Sequence, residues 1–255
     1  MNRLERVLAP VALITLLLLL WETVCRAARI PAFLLPPPSQ VAAALVEGAP
    51  SLALAAWRTL SMALLALAAA SLFASSVGLF VSLDRTVENA VRPLAVGLQV
   101  TPVVAIAPLF VIWAGIDHPG RAIVALAAIV AFFPIYSGVV TGLKSADPDL
   151  ERLFDLYGAG PMQRLLRLRM PAAVPAMLEG HKVAAGLAVI GAVVAEFVAG
   201  SGGAQGLAWR ILEAGNRLQT ARMFAAIIVL AVMAGLLHFA FQALEARALV
   251  WWRGR

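Results

Sequence analysis

The most distinctive pattern in the sequence lies in residues 144–182, which read KSADPDLERLFDLYGAGPMQRLLRLRMPAAVPAMLEGHK. The Asp-Pro-Asp triplet at 147–149 is typical of a helix start, because an acceptor, a proline at the first helical position and an acid in the first turn suit a helix N-terminus. The Gly-Ala-Gly-Pro run at 158–161 predicts the end of that helix and the start of a second one.

Both short helices carry an apolar face. The apolar residues recur at helical spacing, Leu150, Leu153, Phe154 and Tyr157 in the first helix and Met162, Leu165, Leu166 and Met170 in the second. Pro171 and Pro175 are expected to close the unit. Two interpretations stay open from these residues alone. The helices lie on a lipid surface, or they form a knob that docks into a soluble partner by burying an apolar ridge.

The composition around this stretch indicates a membrane protein. Of the 255 residues, 62% are apolar and 13% charged, whereas soluble domains carry about 45–50% and about 25%. The net charge of +6 comes from basic residues scattered between apolar runs. This pattern favours loops beside a membrane over a nucleic-acid surface. Cys25 is the single cysteine, so an intrachain disulfide is excluded.

The apolar runs predict an all-α polytopic protein with one domain, 1–255. A bilayer core about 30 Å thick needs about 20 helical residues. Six runs approach this length, at about 7–24, 60–83, 93–116, 122–143, 183–200 and 223–244. Whether the first run is retained or cleaved stays open. A short interfacial helix capped by Ser39 and ending at Glu47 is expected before the second span.

The basic residues predict the orientation. With six spans, both termini lie on one side, and that side holds thirteen of the 20 lysines and arginines. Because cytoplasmic loops are enriched in basic residues, both termini are predicted to be cytoplasmic.

Polar side chains within the spans are candidates for lining a pathway, since they are unfavourable against lipid. Gln99, Thr101 and Ser137 are three such residues. Glu196 is predicted to line the outer mouth, to pair with an arginine of the following loop, or to reach water at the interface. The small residues Ala184, Ala188 and Ala192 permit close helix packing, either within the chain or with a second copy.

Two other function classes fit less well. An intramembrane serine protease could use Ser137 and His238, but the Gly-x-Ser-x-Gly setting is missing. A stand-alone secondary transporter would carry an inverted repeat with paired broken helices, which the sequence does not show. The sequence also has no Gly-x-x-x-x-Gly-Lys-Ser/Thr phosphate loop. If this protein works in an ATP-driven process, the ATPase must therefore be another chain.

Eight segments carry a family resemblance: LPPPSQV at 35–41, TP at 101–102, APLF at 107–110, FFPI at 132–135, GLKSADPDL at 142–150, YGA at 157–159, PAAVP at 171–175 and GAVVAEF at 191–197. With these segments the sequence resembles the permease subunit of binding-protein-dependent ABC importers of the nitrate/sulfonate/taurine group. The Leu-Tyr-Gly-Ala version of the loop, with GLA at 206–208 and RMFAA at 222–226, is similar to the branch for thiamine-pyrimidine or riboflavin precursors.

The resemblance implies a type I importer permease fold in a bacterial inner membrane, with residues 144–182 as an EAA-type coupling loop. Gly158 matches the glycine of that loop and Pro171 its closing proline. The Glu-Ala-Ala slot holds Arg152, with Glu151 displaced by one, and the effect of this departure stays open. The implied coupling residues are Asp149, Glu151, Arg152, Phe154, Tyr157, Gly158, Ala159, Gly160, Gln163, Arg164 and Pro171.

The resemblance also implies the partners. A dimer of ATP-binding subunits would hold ATP and Mg, an extracytoplasmic binding protein would deliver the solute, and a second permease copy would complete the pore. The chain itself is expected to be no enzyme and to bind no cofactor, metal or nucleic acid. The transported solute is implied only as a sulfonate-, nitrate- or taurine-like anion or a vitamin precursor.

Overall fold

The structure is a computed structural model that describes residues 3–115, 118–199 and 205–252, with the side chains of 3–7 and 251 left aside. This part of the chain is all-helical, as predicted. Five helices are long and apolar enough to cross a membrane, or six if one bent pair counts as a span. The helices are α1 (Arg3–Ala27), α2 (Pro38–Val81), α3 (Arg85–Val100), α4 (Val103–Ala114), α5 (Pro119–Leu143), α6 (Pro148–Leu156), α7 (Pro161–Arg164), α8 (Met170–Ala199), α9 (Leu207–Asn216) and α10 (Thr220–Trp252), with a π-helical turn at Leu165–Arg169 between α7 and α8.

The predicted interfacial helix and second span are one helix, which corrects the sequence prediction. α2 runs unbroken for 44 residues through Pro50. The segment between the two predicted elements is rich in alanine and leucine, which favours helix continuation. Ser39 lies in the first turn instead of capping it. Its N–H and hydroxyl donate to the carboxylate of Glu22 on α1, at 3.0 Å and 2.8 Å, which ties α1 to the start of α2.

The predicted third span is broken, which corrects a second prediction. α3 ends at Val100 and α4 begins at Val103, with a bend of 96° between them. Pro102 has no N–H to continue the ladder, and it pushes Thr101 into the extended region, with φ −67° and ψ 124°. Pro108 lies inside α4 and does not interrupt it.

α5 and α8 form the centre of the bundle through close backbone contact. A Cβ on Gly180 would lie 2.5 Å from the carbonyl oxygen of Pro134, and one on Gly138 would lie 2.7 Å from that of Ala176. Only glycine permits this approach at these points. The small-residue stripe at Ala184, Ala188 and Ala192 is fully buried in the same packing, so its close contacts are within the chain.

Helix α8 begins earlier than the predicted fifth span. α7, the π turn and α8 form one continuous helix of 39 residues, Pro161–Ala199. Pro171 and Pro175 were expected to end the loop unit, but both lie inside this helix. Within membrane proteins such prolines are tolerated where neighbouring groups and local π adjustments satisfy the freed carbonyls.

The remaining differences concern helix ends. α1 and α10 are longer than the predicted first and sixth spans, 7–24 and 223–244. The predicted ends of the third and fifth spans, at 116 and 200, lie outside the described residues. α1 leaves most of its leucines exposed, which suits contact with lipid acyl chains.

Candidate functional site

The two short helices of the 144–182 stretch form where the sequence places them. Asp147 accepts the N–H of Asp149 at 2.8 Å and so caps α6. Gly158 ends the helix with φ +64°, a conformation that glycine adopts without strain. Gly160 then precedes α7, and its N–H donates to the Gln163 side chain at 3.2 Å. The result is a helix–hinge–helix unit at one end of the bundle.

This unit presents an apolar ridge that the rest of the described chain does not cover. Leu156 is 85% exposed and Tyr157 81% exposed. Leu150 and Leu153 beside them, and Met162 on α7, are exposed as well. An exposed cluster of large apolar side chains next to polar ones is typical of a protein docking surface. We call Leu150, Leu153, Leu156, Tyr157 and Met162 the coupling ridge, after the role that the sequence predicts for this loop.

The charged residues predicted for coupling divide into two groups. Asp149 and Arg152 face outward and form an exposed pair at 2.9 Å. Glu151 and Arg164 turn toward the bundle and are about four-fifths buried, with side-chain exposures of 21% and 22%. Arg164 pairs with Glu151 and Asp155 of α6.

The four predicted pore residues lie in three separate places. Gln99 and Thr101 flank the end of α3 at the bend, where Gln99 is exposed and the Thr101 hydroxyl donates to the Gly97 carbonyl at 2.7 Å. Ser137 lines a cleft of about 460 Å³ between α3 and α5. Glu196 lies at the far end of α8. Their role in lining a pathway stays a prediction.

Glu196 is fully buried within this chain and forms part of an anchor between three helices. Its carboxylate accepts the Thr59 hydroxyl of α2 at 2.7 Å and the Ala208 N–H of α9 at 3.0 Å. Thr59 in turn accepts the Leu207 N–H at 2.9 Å. These acceptors satisfy the free N–H groups at the start of α9. Among the described residues no arginine pairs with Glu196.

The anchor leaves no room at the residue before α9. A Cβ on Gly206 would lie 2.2 Å from one carboxylate oxygen of Glu196 and 2.4 Å from the Thr59 hydroxyl oxygen. Sequence reasoning missed Thr59, because its partner is 137 positions away along the chain.

Sequence reasoning also missed a contact at the opposite end of the bundle, beside the 144–182 stretch. The Lys144 ammonium at the end of α5 donates to Glu88 in the first turn of α3, at 2.5 Å. The Asp84 carboxylate caps α3 by accepting hydrogen bonds from the N–H groups of Thr86 and Val87. These hydrogen bonds hold the pKa of the Asp84 carboxyl below its usual range. Glu88 and Lys144 also line a cleft of about 720 Å³ that reaches Glu151 and Arg169.

The far end of the bundle carries a groove of about 280 Å³ between α2, α9 and α10. Its lining carries three arginines and two glutamates, and Glu213 lies 3.2 Å from Arg210 and 3.0 Å from Arg217. Arg222 lines the same groove and donates to the side chain of Gln219 at 3.0 Å.

Comparison with known proteins agrees with this architecture. Residues 68–250 match the family described as binding-protein-dependent transport system inner membrane component. The chain belongs to this family. It is the permease subunit of an ABC importer and a multi-pass inner-membrane protein, so the two competing function classes are set aside.

The relatives are transport permeases. The permease is 33% identical to the formylaminopyrimidine transport permease protein ThiX of Halalkalibacterium halodurans, over 98% of each chain. It is 31% identical to the taurine transport system permease protein TauC of Escherichia coli, over 97% of this chain and 90% of that protein. A solved chain of the MetNI methionine ABC transporter, in an inward-facing conformation, has a TM-score of 0.63 at 19% identity. That match covers 77% of this chain and 95% of the other, and it supports the fold.

Proposed function

We propose that a separate ATP-binding subunit docks on the coupling ridge and drives this permease. The observation that supports this is the exposure of the ridge, led by Leu156 and Tyr157, on a capped helix held at a glycine hinge. Burial of apolar surface would stabilise such a contact by about 25 cal/mol for each Å² removed from water. ATP and Mg are held by that partner and not by this chain.

The pathway itself forms between two permease copies. Gln99 and Thr101 lie at the bend between α3 and α4, where Leu94, Val100 and Trp113 are also exposed. Polar side chains in a membrane segment suit a protein interior or a water-filled path more than lipid. The exposed α3–α4 corner therefore faces the second copy, in a homodimer with both termini in the cytoplasm.

The solute is a small polar molecule delivered by a binding protein on the outer side. The named solutes of the two relatives, formylaminopyrimidine and taurine, share small size and polarity. The outer groove is lined by three arginines and two glutamates. This excess of one positive charge is too small to select an anion over an uncharged vitamin precursor, so both solute classes stay open.

The first experiment is affinity purification from the native membrane in mild detergent, with mass spectrometry of the proteins that remain bound. We expect a stoichiometric ATP-binding protein, and a binding protein whose bound ligand identifies the solute. Leu156→Gln should release the ATP-binding protein. The matched control Leu218→Gln changes a 67% exposed leucine at the opposite end and should retain it. A chain that purifies alone and transports without ATP would overturn the proposal.

A further inference from the structure

The helix that follows the coupling ridge contains a π-helical turn at a defined place. In Leu165–Arg169 the N–H of Met170 donates to the carbonyl of Leu165, five residues back. The next residue, Pro171, has no N–H to donate to the carbonyl of Arg167. The π turn therefore lies where the regular ladder is already interrupted, and such turns are frequent at functional sites.

The π turn changes which side chains share a face. Arg164 and Arg169 are five residues apart, and a regular α-helix would rotate them by about 140° from each other. Because a π turn closes between residues i and i+5, it brings both onto one side of the helix. Both guanidinium groups then reach α6. Arg169 Nε donates to Glu151 at 2.6 Å, and Arg164 lies 3.4 Å from the other oxygen of the same carboxylate.

The acidic side of this contact is also built by helix spacing. Glu151 and Asp155 are four residues apart and lie on one face of α6. Arg164 bridges them, since its second terminal nitrogen donates to Asp155. The Glu151–Arg164 pair is about one-fifth exposed, whereas the neighbouring Asp149–Arg152 pair is about four-fifths exposed. Water screens the inner pair less, so it contributes more to the structure.

We propose that the π turn is the coupling joint of this permease, and that Glu151, Arg164 and Arg169 are positioning residues that fix α6 to the start of α8. This rests on the proposed function, in which the ATP-binding subunit docks on α6. The hinge at 157–160 would otherwise let α6 swing independently. With the three side chains engaged, a displacement of α6 moves the continuous helix to Ala199, whose far end holds Glu196.

The first test uses the isolated full-length permease and needs no partner. Spin labels at Leu156→Cys and Val183→Cys, in a Cys25→Ala background, report the distance between α6 and α8 by pulsed electron resonance. We expect a narrow distribution in the parent and a broad one in Arg169→Gln and in Glu151→Gln. Arg169→Lys should be intermediate, because it keeps the charge without the guanidinium Nε donor.

Arg167→Gln is the matched control, since it removes a charge from the same π turn at an exposed position. It should leave the distribution narrow. The double variant Glu151→Gln/Arg169→Gln should broaden it no more than either single change, as expected for one shared interaction. An unchanged distance distribution in Arg169→Gln, or equal broadening in Arg167→Gln, would overturn the inference that the π turn is a coupling joint.

The second test uses the assembled transporter. For Arg169→Gln we expect the ATP-binding subunit to copurify at the parent level, because Arg169 is not part of the coupling ridge. Solute uptake per ATP hydrolysed should fall about tenfold, which corresponds to about 1.4 kcal/mol of lost coupling free energy. Parent-like uptake in this variant contradicts the inference. Failure of the parent itself to retain an ATP-binding subunit contradicts the proposed function, whereas the spin-label result still reports on the joint.

Discussion

Gly158 is the residue whose conformation decides the shape of the coupling unit. Its φ of +64° lies in the left-handed region, which strains a non-glycine residue by about 1–3 kcal/mol. We expect Gly158→Val to reorient the coupling ridge and to uncouple uptake from ATP hydrolysis, measured in membrane vesicles, without preventing membrane insertion.

Gly160→Val is the matched control for that variant. Gly160 has φ −68°, which any residue adopts, and a Cβ there would meet nothing within 4 Å. Unimpaired uptake in Gly158→Val would show that the ridge is not held by this hinge.

The Thr59 hydroxyl is the other single group with a large expected effect. Thr59→Val keeps the shape of the side chain but leaves the Glu196 carboxylate and the Leu207 N–H each without one partner. Loss of a buried hydrogen-bond partner costs about 1–3 kcal/mol. We expect a lower melting temperature in detergent and faster tryptic cleavage after Arg217, while Thr59→Ser should behave like the parent. Equal proteolysis of the valine and serine variants would mean that the hydroxyl does not hold α9.

At the scale of elements, the contact between α5 and α8 sets the bundle. Gly180→Ala would place a methyl group 2.5 Å from the Pro134 carbonyl oxygen, whereas Gly186→Ala in the same helix would meet nothing within 4 Å. Overpacking of this kind typically costs about 1–3 kcal/mol. We expect thermal unfolding to show a large loss of stability for the first variant and none for the second. Similar melting temperatures would indicate that α5 and α8 separate easily.

Pro102 acts at the same scale, because it turns one apolar run into two helices. The composition of residues 93–116 is that of a single span, and the run is long enough to cross a bilayer. The bend of 96° brings polar and apolar side chains to an exposed corner instead. A proline can be accommodated or can break a helix, and the choice depends on the packing around it.

For the whole molecule, the exposed α3–α4 corner predicts where the second copy lies. Val100 is 74% exposed beside Thr101. In a Cys25→Ala background, Val100→Cys should give an oxidant-dependent disulfide-linked dimer on a non-reducing gel. Leu16→Cys on α1, where Leu16 is 63% exposed, should stay monomeric. Cross-linking at Leu16 in place of Val100 would put the interface on α1.

Several elements could be predicted from the sequence because local rules determine them. The helix start at Asp147, the hinge at Gly158 and the apolar spans follow from capping chemistry, glycine conformation and bilayer thickness. The ridge residues Leu153 and Tyr157 were also found this way, since a 3.6-residue period places them on one face. Family membership supports the assignment of these elements to an importer permease.

The tertiary structure decided the rest, because those features depend on partners far away along the chain. The sequence shows Glu196 only as a polar residue in an apolar run, and the fold adds that Thr59, 137 positions away, ties it into a buried anchor. Arg164 lies outside the apolar stripe of its helix, which is typical of a surface residue, yet in the fold it pairs with Asp155 of α6. The alanine stripe fits two interfaces equally well, and only the approach of α5 selects one. Periodicity indicates which side chains share a face, whereas packing alone determines what that face meets.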